Sequence, residues 1–310
     1  MTQNRLLASR THWLIVWLQT VIAPIAFFGL VSLASHLALA QQKIDVELDP
    51  RYNALTWMQN SAEYSLLTEQ TFRLAMSQLH VGMQDRKWSA DEVQVVAGGF
   101  EDKSPAVILD CDETVLDNSA YNARNILTKK PYTTDSWNDW CQEGLAEAIP
   151  GALEFVKHAD AIGVKVFYIT NRRDVVKDAT IENLKKLGFP ASESTVLTKN
   201  EELGRGDDKV SRRAMVAENY RIVLLVGDSM SDLCTGMSID NSRKRNDVAD
   251  RKTTMLGTRW IMLPNPVYGG WQRALPDAEQ ALKPKLNQPE SESMPPATGA
   301  SISNDKKNKQ

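Results

Sequence analysis

The sequence predicts an α/β fold built on a parallel sheet, and three observations carry that prediction. First, the runs 106–109, 164–169 and 221–226 have the length and apolar character of strands covered on both faces. Second, each run passes directly into polar residues able to do chemistry: Asp110 and Asp112 after the first, Thr170, Asn171 and Arg172 after the second, Gly227, Asp228 and Asp232 after the third. Third, segments of helical periodicity separate the runs, as right-handed crossovers between parallel strands require. Open α/β sheets bind ligands at the carboxyl ends of their strands. The same observations that predict the fold therefore place a site.

Taken in order, the chain starts with Arg5 and Arg10, then an apolar stretch from Trp13 to about Leu39 that contains Pro24 and ends at Ala38-Leu39-Ala40 before Gln41-Gln42. A positive start, an apolar middle and a small-residue ending describe a secretory signal cleaved after Ala40, although the apolar part exceeds the usual length of about 7–15 residues. It is also long enough to span a bilayer. Residues 1–40 are expected to be a signal peptide or a membrane anchor, and either exports the remainder, to the periplasm or to a membrane face that looks into it. Residues 55–79 hold no Gly or Pro, and their apolar residues recur at helical spacing, which predicts one long amphipathic helix with Trp57, Tyr64 and Phe72 in the core. A shorter helix over 88–96 completes an N-terminal helical layer.

The run Val107 to Asn122, VILDCDETVLDNSAYN, is the centre of the chain. Asp110, Asp112 and Thr114 stand at alternate positions, so a curl at the strand end directs both carboxylates into one pocket. Two acids that close repel each other, and a divalent cation relieves them. Cys111 between them points the other way, as a small core hydrophobe. The chain has three cysteines, Cys111, Cys141 and Cys234. An odd count leaves at least one unpaired, and a Cys141–Cys234 bridge stays open as a reading.

Between the first two strands, Tyr121, Tyr132, Trp137 and Trp140 make an aromatic-rich insert. Two readings stand: aromatic faces that stack a base or ring, or two tryptophans, three residues apart on a short helix, that anchor the insert to the body. Pro150-Gly151 opens the helix to the second strand. Helices are predicted over 175–187, closed by Gly188, and over 209–218, opened by Lys209. Residues 241–251 read as a charged, solvated surface, and 258–275 as a final short strand with a Gly-Gly turn. From Pro284 the composition is too polar to order, which predicts a disordered tail over 284–310, its lysines solvated. With 310 residues, 42% hydrophobic, the chain can bury one substantial core, here 41–283. A net charge of -3 with scattered basic residues excludes a nucleic-acid footprint.

The ordered set of DxDxT at Asp110–Thr114, Thr170, Lys209 within DDKVSRR, and GDxxxD at Gly227–Asp232 resembles the haloacid dehalogenase (HAD) superfamily. The segments WMQNSAEY from Trp57, DETVLDNSAY from Asp112, VFYITNR from Val166, IVLLVGD from Ile222 and IMLPNPVYGGW from Ile261 are similar to the bacterial class C acid phosphatases, the outer-membrane lipoprotein 5'-nucleotidase family. These segments spread over about residues 50–280. The resemblance implies an α/β, Rossmann-like HAD core with a parallel sheet, a small mainly helical cap over about 118–150, and the N-terminal helical layer. It departs from the lipoprotein type in one respect: no cysteine precedes Cys111, so the lipidated cysteine has no counterpart. The spacing around Lys209 also differs, which leaves open whether Arg212 or Arg213 assists.

The chemistry follows from the residue types. Attack on phosphorus needs a nucleophile, a proton donor for the leaving oxygen and neutralisation of the equatorial oxygens. Asp110 is placed to attack and form an aspartyl-phosphate. Asp112 protonates the leaving alcohol and then deprotonates water. Superfamily ATPases keep Thr where Asp112 stands, so the second Asp points to a phosphatase, and the need for a protonated Asp112 predicts an acidic optimum. By resemblance, Mg2+ is held by the Asp110 carboxylate, the Asp112 backbone carbonyl and Asp228, while Asp232 holds a metal-bound water or orients Lys209. Thr170 and the Asn171 N–H bind phosphoryl oxygens, Lys209 neutralises their charge, and Thr114 supports the loop. The implied substrates are small-molecule phosphomonoesters, including 5'-nucleotides and nicotinamide mononucleotide, with Tyr121, Trp137, Tyr268 and Trp271 as candidates to meet a ring. A phosphotransferase that delivers to an alcohol is the alternative enzyme. A non-catalytic exported binding protein is the alternative outside enzymes, and the presence of all four motif acids argues against it. Membrane contact is expected only through an uncleaved N-terminal segment.

Overall fold

The structure is a computed structural model that describes residues 35–38, 49–237 and 241–276. The tail read over 284–310, and all of the signal or anchor read over 1–40 except residues 35–38, lie outside the described residues. Among the described residues, no helix is long and apolar enough to cross a membrane.

Five parallel strands form the sheet in the order β5-β4-β1-β6-β7: β1 Ser104–Leu109, β4 Lys165–Arg173, β5 Val196–Lys199, β6 Tyr220–Gly227 and β7 Trp260–Met262. β1 lies in the centre, with Leu109 in register with Tyr168 of β4 and Val226 of β6. That register brings Asp110, Thr170 and Asp228 to one edge from sequence positions far apart. Alternation along β1 splits the core. Val107 and Leu109 pack with Phe72, Leu79 and Phe155, and Ala106 and Ile108 with Val216, Leu233 and Trp260 on the other face. Burial on both faces is why these strands read as unbroken apolar runs.

The N-terminal layer corrects one expectation. Instead of a single helix over 55–79, α1 (Tyr52–Asn60) and α2 (Ala62–Gln84) meet at Ser61. Ser61 is extended, φ -90° and ψ 138°, and its hydroxyl accepts the Tyr64 N–H at 3.1 Å. A serine that can cap the next helix competes with continuing the previous one. Close packing fixes α2 on the sheet: a Cβ at Gly82 would stand 2.6 Å from Val223 Cγ1. The Trp88 indole donates to the Val223 carbonyl at 2.9 Å, and α3 (Glu92–Ala97) follows, capped by Asp91.

After β1 the chain forms a two-stranded antiparallel base, β2 (Leu116–Asp117) with β3 (Glu147–Ala148). Between them fold α4 (Ser119–Thr128) and α5 (Thr134–Glu143), the latter started by a Thr133–Ser136 capping box. α6 (Ala152–Ala161) returns to β4, its Phe155 ring 5.7 Å from Phe72 of α2. α7 (Lys177–Lys186), α8 (Val210–Ala217), α9 (Met230–Leu233), α10 (Ser242–Asp250) and α11 (Gly270–Arg273) complete the described chain. The charged stretch read over 241–251 is thus helical, with no buried side chain. The predicted second strand also runs further, to Arg173. Pairing with β5 resumes at Arg173–Lys199 after an irregularity, so Thr170, Asn171 and Arg172 lie within the strand and not in a loop beyond it. All three cysteines are unpaired and buried, so a Cys141–Cys234 bridge is not formed.

Candidate active site

Two groups of side chains face each other at the carboxyl edge of β1. The first gathers around Lys209. Its ammonium pairs with Asp110 and with Asp232, the latter at 2.8 Å, and all three residues are buried. The Asp110 N–H donates to the Val226 carbonyl at 2.9 Å, which fixes the backbone of the nucleophile candidate to β6. Asp232 reaches the pocket because Gly227 has no side chain: a Cβ there would fall 2.4 Å from both Asp232 Cβ and Oδ2. The second Asp232 oxygen accepts the Ser229 N–H at 2.9 Å. Asp228 completes the group, and its Oδ2 accepts from Asn265 Nδ2 at 2.8 Å.

The second group surrounds Asp112. Its Oδ1 accepts from Arg172 Nε at 2.9 Å and from Asn118 Nδ2 at 3.0 Å, and forms an ion pair with Arg172 Nη2 at 2.8 Å. Its Oδ2 accepts from the Thr170 hydroxyl at 3.3 Å. The loop that delivers Asp112 is tight: the Thr114, Val115 and Leu116 N–H groups all donate to the Cys111 carbonyl. Glu113 sits at φ 55°, in the left-handed region, and its carboxylate accepts the Asn118 N–H at 2.9 Å. Thr114, predicted to support the loop, is buried with its hydroxyl making no hydrogen bond among the described residues.

Electrostatics separate the two groups. The carboxylates of Asp110, Asp228 and Asp232 offer oxygens all within 4.8 Å of one another, with one ammonium among them. Burial, then Asp232 and Asp112, push the Asp110 carboxyl up to about 7 against the pull of Lys209. Burial, then Asp232 and Asp110, hold Asp228 well above the usual carboxylate range. Burial works against the charge on Lys209, but Asp110 and Asp232 outweigh it and raise its pKa. Crowded acids that resist ionisation, with oxygen donors only, fit a hard divalent cation. Burial also works against the Arg172 guanidinium, yet Asp112 keeps it firmly charged.

Of the two arginines left open, Arg212 joins the site. It donates to the Thr170 carbonyl and, at 2.7 Å, to Asn171 Oδ1. Arg213 turns away to Asp91 at 3.0 Å and to the Asp232 carbonyl at 3.2 Å. Asn171 is exposed and also donates to the Asp207 carbonyl at 3.1 Å. The aromatic candidates divide. Tyr121 is buried within the α4–α5 unit, its hydroxyl shared with Ser136 at 2.9 Å, and Trp137 lies under the Arg172 guanidinium at 5.6 Å. Tyr268 is half-buried, and Trp271 is 41% exposed with its indole N–H shared by the Asn265 and Tyr268 carbonyls. Sequence reasoning assigned no role to Arg172, Asn118 or Asn265. A signal for Asn265 was its place between two prolines, where its side chain accepts the Val267 and Tyr268 N–H groups.

The sequence profile of the HAD superfamily, subfamily IIIB (acid phosphatase), matches residues 30–271. The chain belongs to this family. "Acid phosphatase 1" of Solanum lycopersicum is 28% identical over 192 residues, which cover 59% of this chain and 68% of that protein. The "Stem 28 kDa glycoprotein" of Glycine max is 24% identical over 165 residues, 52% of this chain and 58% of the glycoprotein. The class C acid phosphatase of Bacillus anthracis shares the fold with a TM-score of 0.63 at 32% identity, covering 77% of this chain and 96% of that one. Its tungstate-bound structure gives a TM-score of 0.63 at 31% identity, with the same coverage. As a HAD acid phosphatase, the protein is a phosphomonoesterase of small-molecule phosphate esters, and its three clustered aspartates suit the divalent metal such enzymes use.

Proposed function

We propose that the protein is an exported, Mg2+-dependent acid phosphatase that hydrolyses phosphomonoesters, 5'-nucleotides among them, through an aspartyl-phosphate on Asp110. The observation that carries this reading is the division of labour between two acids two residues apart. Asp110 is held by Lys209, and Asp112 is held separately by Arg172, Asn118 and Thr170. An Asp110 oxygen attacks phosphorus, the bond from phosphorus to the ester oxygen breaks, and Asp112 gives its proton to the departing alkoxide. Water then attacks the same phosphorus and its proton passes to Asp112. The bond to Asp110 breaks, inorganic phosphate leaves, and both acids regain their starting states. Lys209, the Thr170 hydroxyl and the Asn171 N–H bind the phosphoryl oxygens, and Arg212 braces Thr170 and Asn171 from behind.

Mg2+ held by the Asp110 carboxylate, the Asp112 carbonyl and Asp228 would supply neutralisation of phosphoryl charge. The oxygen-only donor set and its closeness support a small hard cation. Tyr268 and Trp271 support a nucleotide substrate, because Asn265 ties their loop to Asp228 and leaves an aromatic face exposed there. Arg5, Arg10, the apolar stretch and Ala38-Leu39-Ala40 support export with cleavage after Ala40.

Phosphate release from a 5'-nucleotide at acidic pH, with and without Mg2+, tests the reading. Release should depend on the metal and fall by about 10^4-fold or more in Asp110→Asn, the scale of losing a nucleophile. No metal-dependent release from the folded protein, or undiminished release by Asp110→Asn, would refute it. For the substrate, Trp271→Ala should raise KM for the nucleotide and not for glycerol phosphate. Equal effects on both would exclude ring stacking there.

A further inference from the structure

The DxDxT motif accounts for the presence of Asp112 but not for what aims it. The carboxylate is clamped asymmetrically: Oδ1 takes two short hydrogen bonds, from Arg172 Nε and Asn118, and an ion-pair contact of 2.8 Å with Arg172 Nη2, while Oδ2 has only the 3.3 Å contact with Thr170. Oδ2 is therefore the oxygen left free to exchange a proton. The clamp is itself fixed from three directions. Asn118 Oδ1 accepts from Arg172 Nη2 at 3.1 Å and from the Trp140 indole of α5 at 2.8 Å. Arg172 Nη1 points to the Thr180 hydroxyl of α7 at 3.4 Å, and its guanidinium lies over the Trp137 ring of α5. Arg172, Asn118 and Trp140 are all at most 2% exposed. Burying a guanidinium is costly unless it is paired and geometrically constrained. Here the constraint ends on one oxygen of the acid.

We propose that Arg172 and Asn118 are positioning residues that hold Asp112 Oδ2 toward the leaving oxygen, and that Trp140, through Asn118, transmits the seating of the α4–α5 cap to that carboxylate. The proposal rests on the reading of Asp112 as acid and base. It makes the cap tryptophans part of the alignment of the acid, whatever the substrate carries beyond its phosphate.

The test compares the wild-type enzyme with Arg172→Lys, which keeps the charge and loses the fork, and Trp140→Phe, which keeps a ring and loses only the N–H. Glycerol phosphate needs a proton on its leaving oxygen, whereas p-nitrophenyl phosphate does not. In Arg172→Lys, kcat on glycerol phosphate should fall by about 10^2-fold with KM within about twofold, the scale of a misplaced general acid. With p-nitrophenyl phosphate, the first turnover should stay close to the wild-type rate and give a burst of one nitrophenolate per enzyme. The burst is followed by slow turnover, because water activation also needs Asp112. Trp140→Phe should show the same pattern at about a tenth of the size, so the test survives if Arg172→Lys does not fold. Equal slowing of the first turnover on both substrates, or a change in KM alone, would overturn the proposal and make the network a structural strut. Failure of the underlying reading looks different: the wild-type enzyme would release nothing from either substrate, or Asp110→Asn would match it.

Discussion

The two halves of the active site solve opposite electrostatic problems. Around Asp110, three carboxylates crowd one ammonium, and burial leaves the group short of positive charge. Around Asp112, one carboxylate meets one guanidinium and two neutral donors, and those donors are themselves tied to Thr180 and to one another. The acid-rich cluster offers only oxygen donors and suits the divalent metal of the family. The Asp112 pair is held on one oxygen from several elements, an arrangement that keeps one group still.

Removing one member from each half should have opposite effects on stability. Arg172→Met should destabilise the protein by about 3 kcal/mol at most, because it strands a partly buried acid without its buried partner. Asp228→Asn in a chelating buffer should instead raise Tm, because it removes a carboxyl that burial, Asp232 and Asp110 already oppose. Urea titration and thermal melts of both variants check this, and matching losses would show that the halves do not differ. Next in size, Gly227→Ala would force Asp232 off Lys209. It should cost about 10^2-fold in kcat, the scale of a displacement of about 1 Å, and lower stability by about 1–3 kcal/mol through overpacking; full activity would contradict the close approach.

A third prediction concerns pH. The folded pKa of Asp110 lies at about 7, above the ordinary carboxylate value of the unfolded chain, and Asp228 is raised as well. A raised carboxyl stabilises the fold at low pH and loses that contribution as pH climbs through the folded value. The chelated protein should therefore lose Tm between pH 5 and 8, and saturating Mg2+ should remove the slope. A chelated protein with flat stability over that range would contradict the crowding. Smallest is a control outside both halves: Ser61→Ala should cost about 1 kcal/mol by uncapping α2, with kinetics unchanged.

The motif acids, Thr170 and Lys209 were legible in the sequence, and the network that holds Asp112 was not. Asp110, Asp228 and Asp232 follow apolar runs within short motifs, and a parallel sheet brings such strand ends together without further information. Lys209 was legible through its order relative to them. Arg172 stands in the TNR run but reads as an ordinary polar residue after a strand, because its partner Asp112 is 60 positions away and becomes adjacent only when β4 pairs with β1. Asn118 reads as a helix-start residue for the same reason, since Trp140 and Arg172 reach it from two other elements. The split at Ser61 was missed because apolar periodicity continues across it, while the decision there is one hydroxyl against one backbone bond.

The proposed reaction requires that Asp110 be phosphorylated while Asp112 serves it. Rapid quenching of the enzyme with a labelled phosphomonoester, followed by peptide mapping, decides whether this happens. A hydroxylamine-sensitive acyl phosphate should appear on Asp110, be absent in Asp110→Asn and increase when Arg172→Lys slows its hydrolysis. Label on any other residue, or turnover with no covalent label at any quench time, would contradict it.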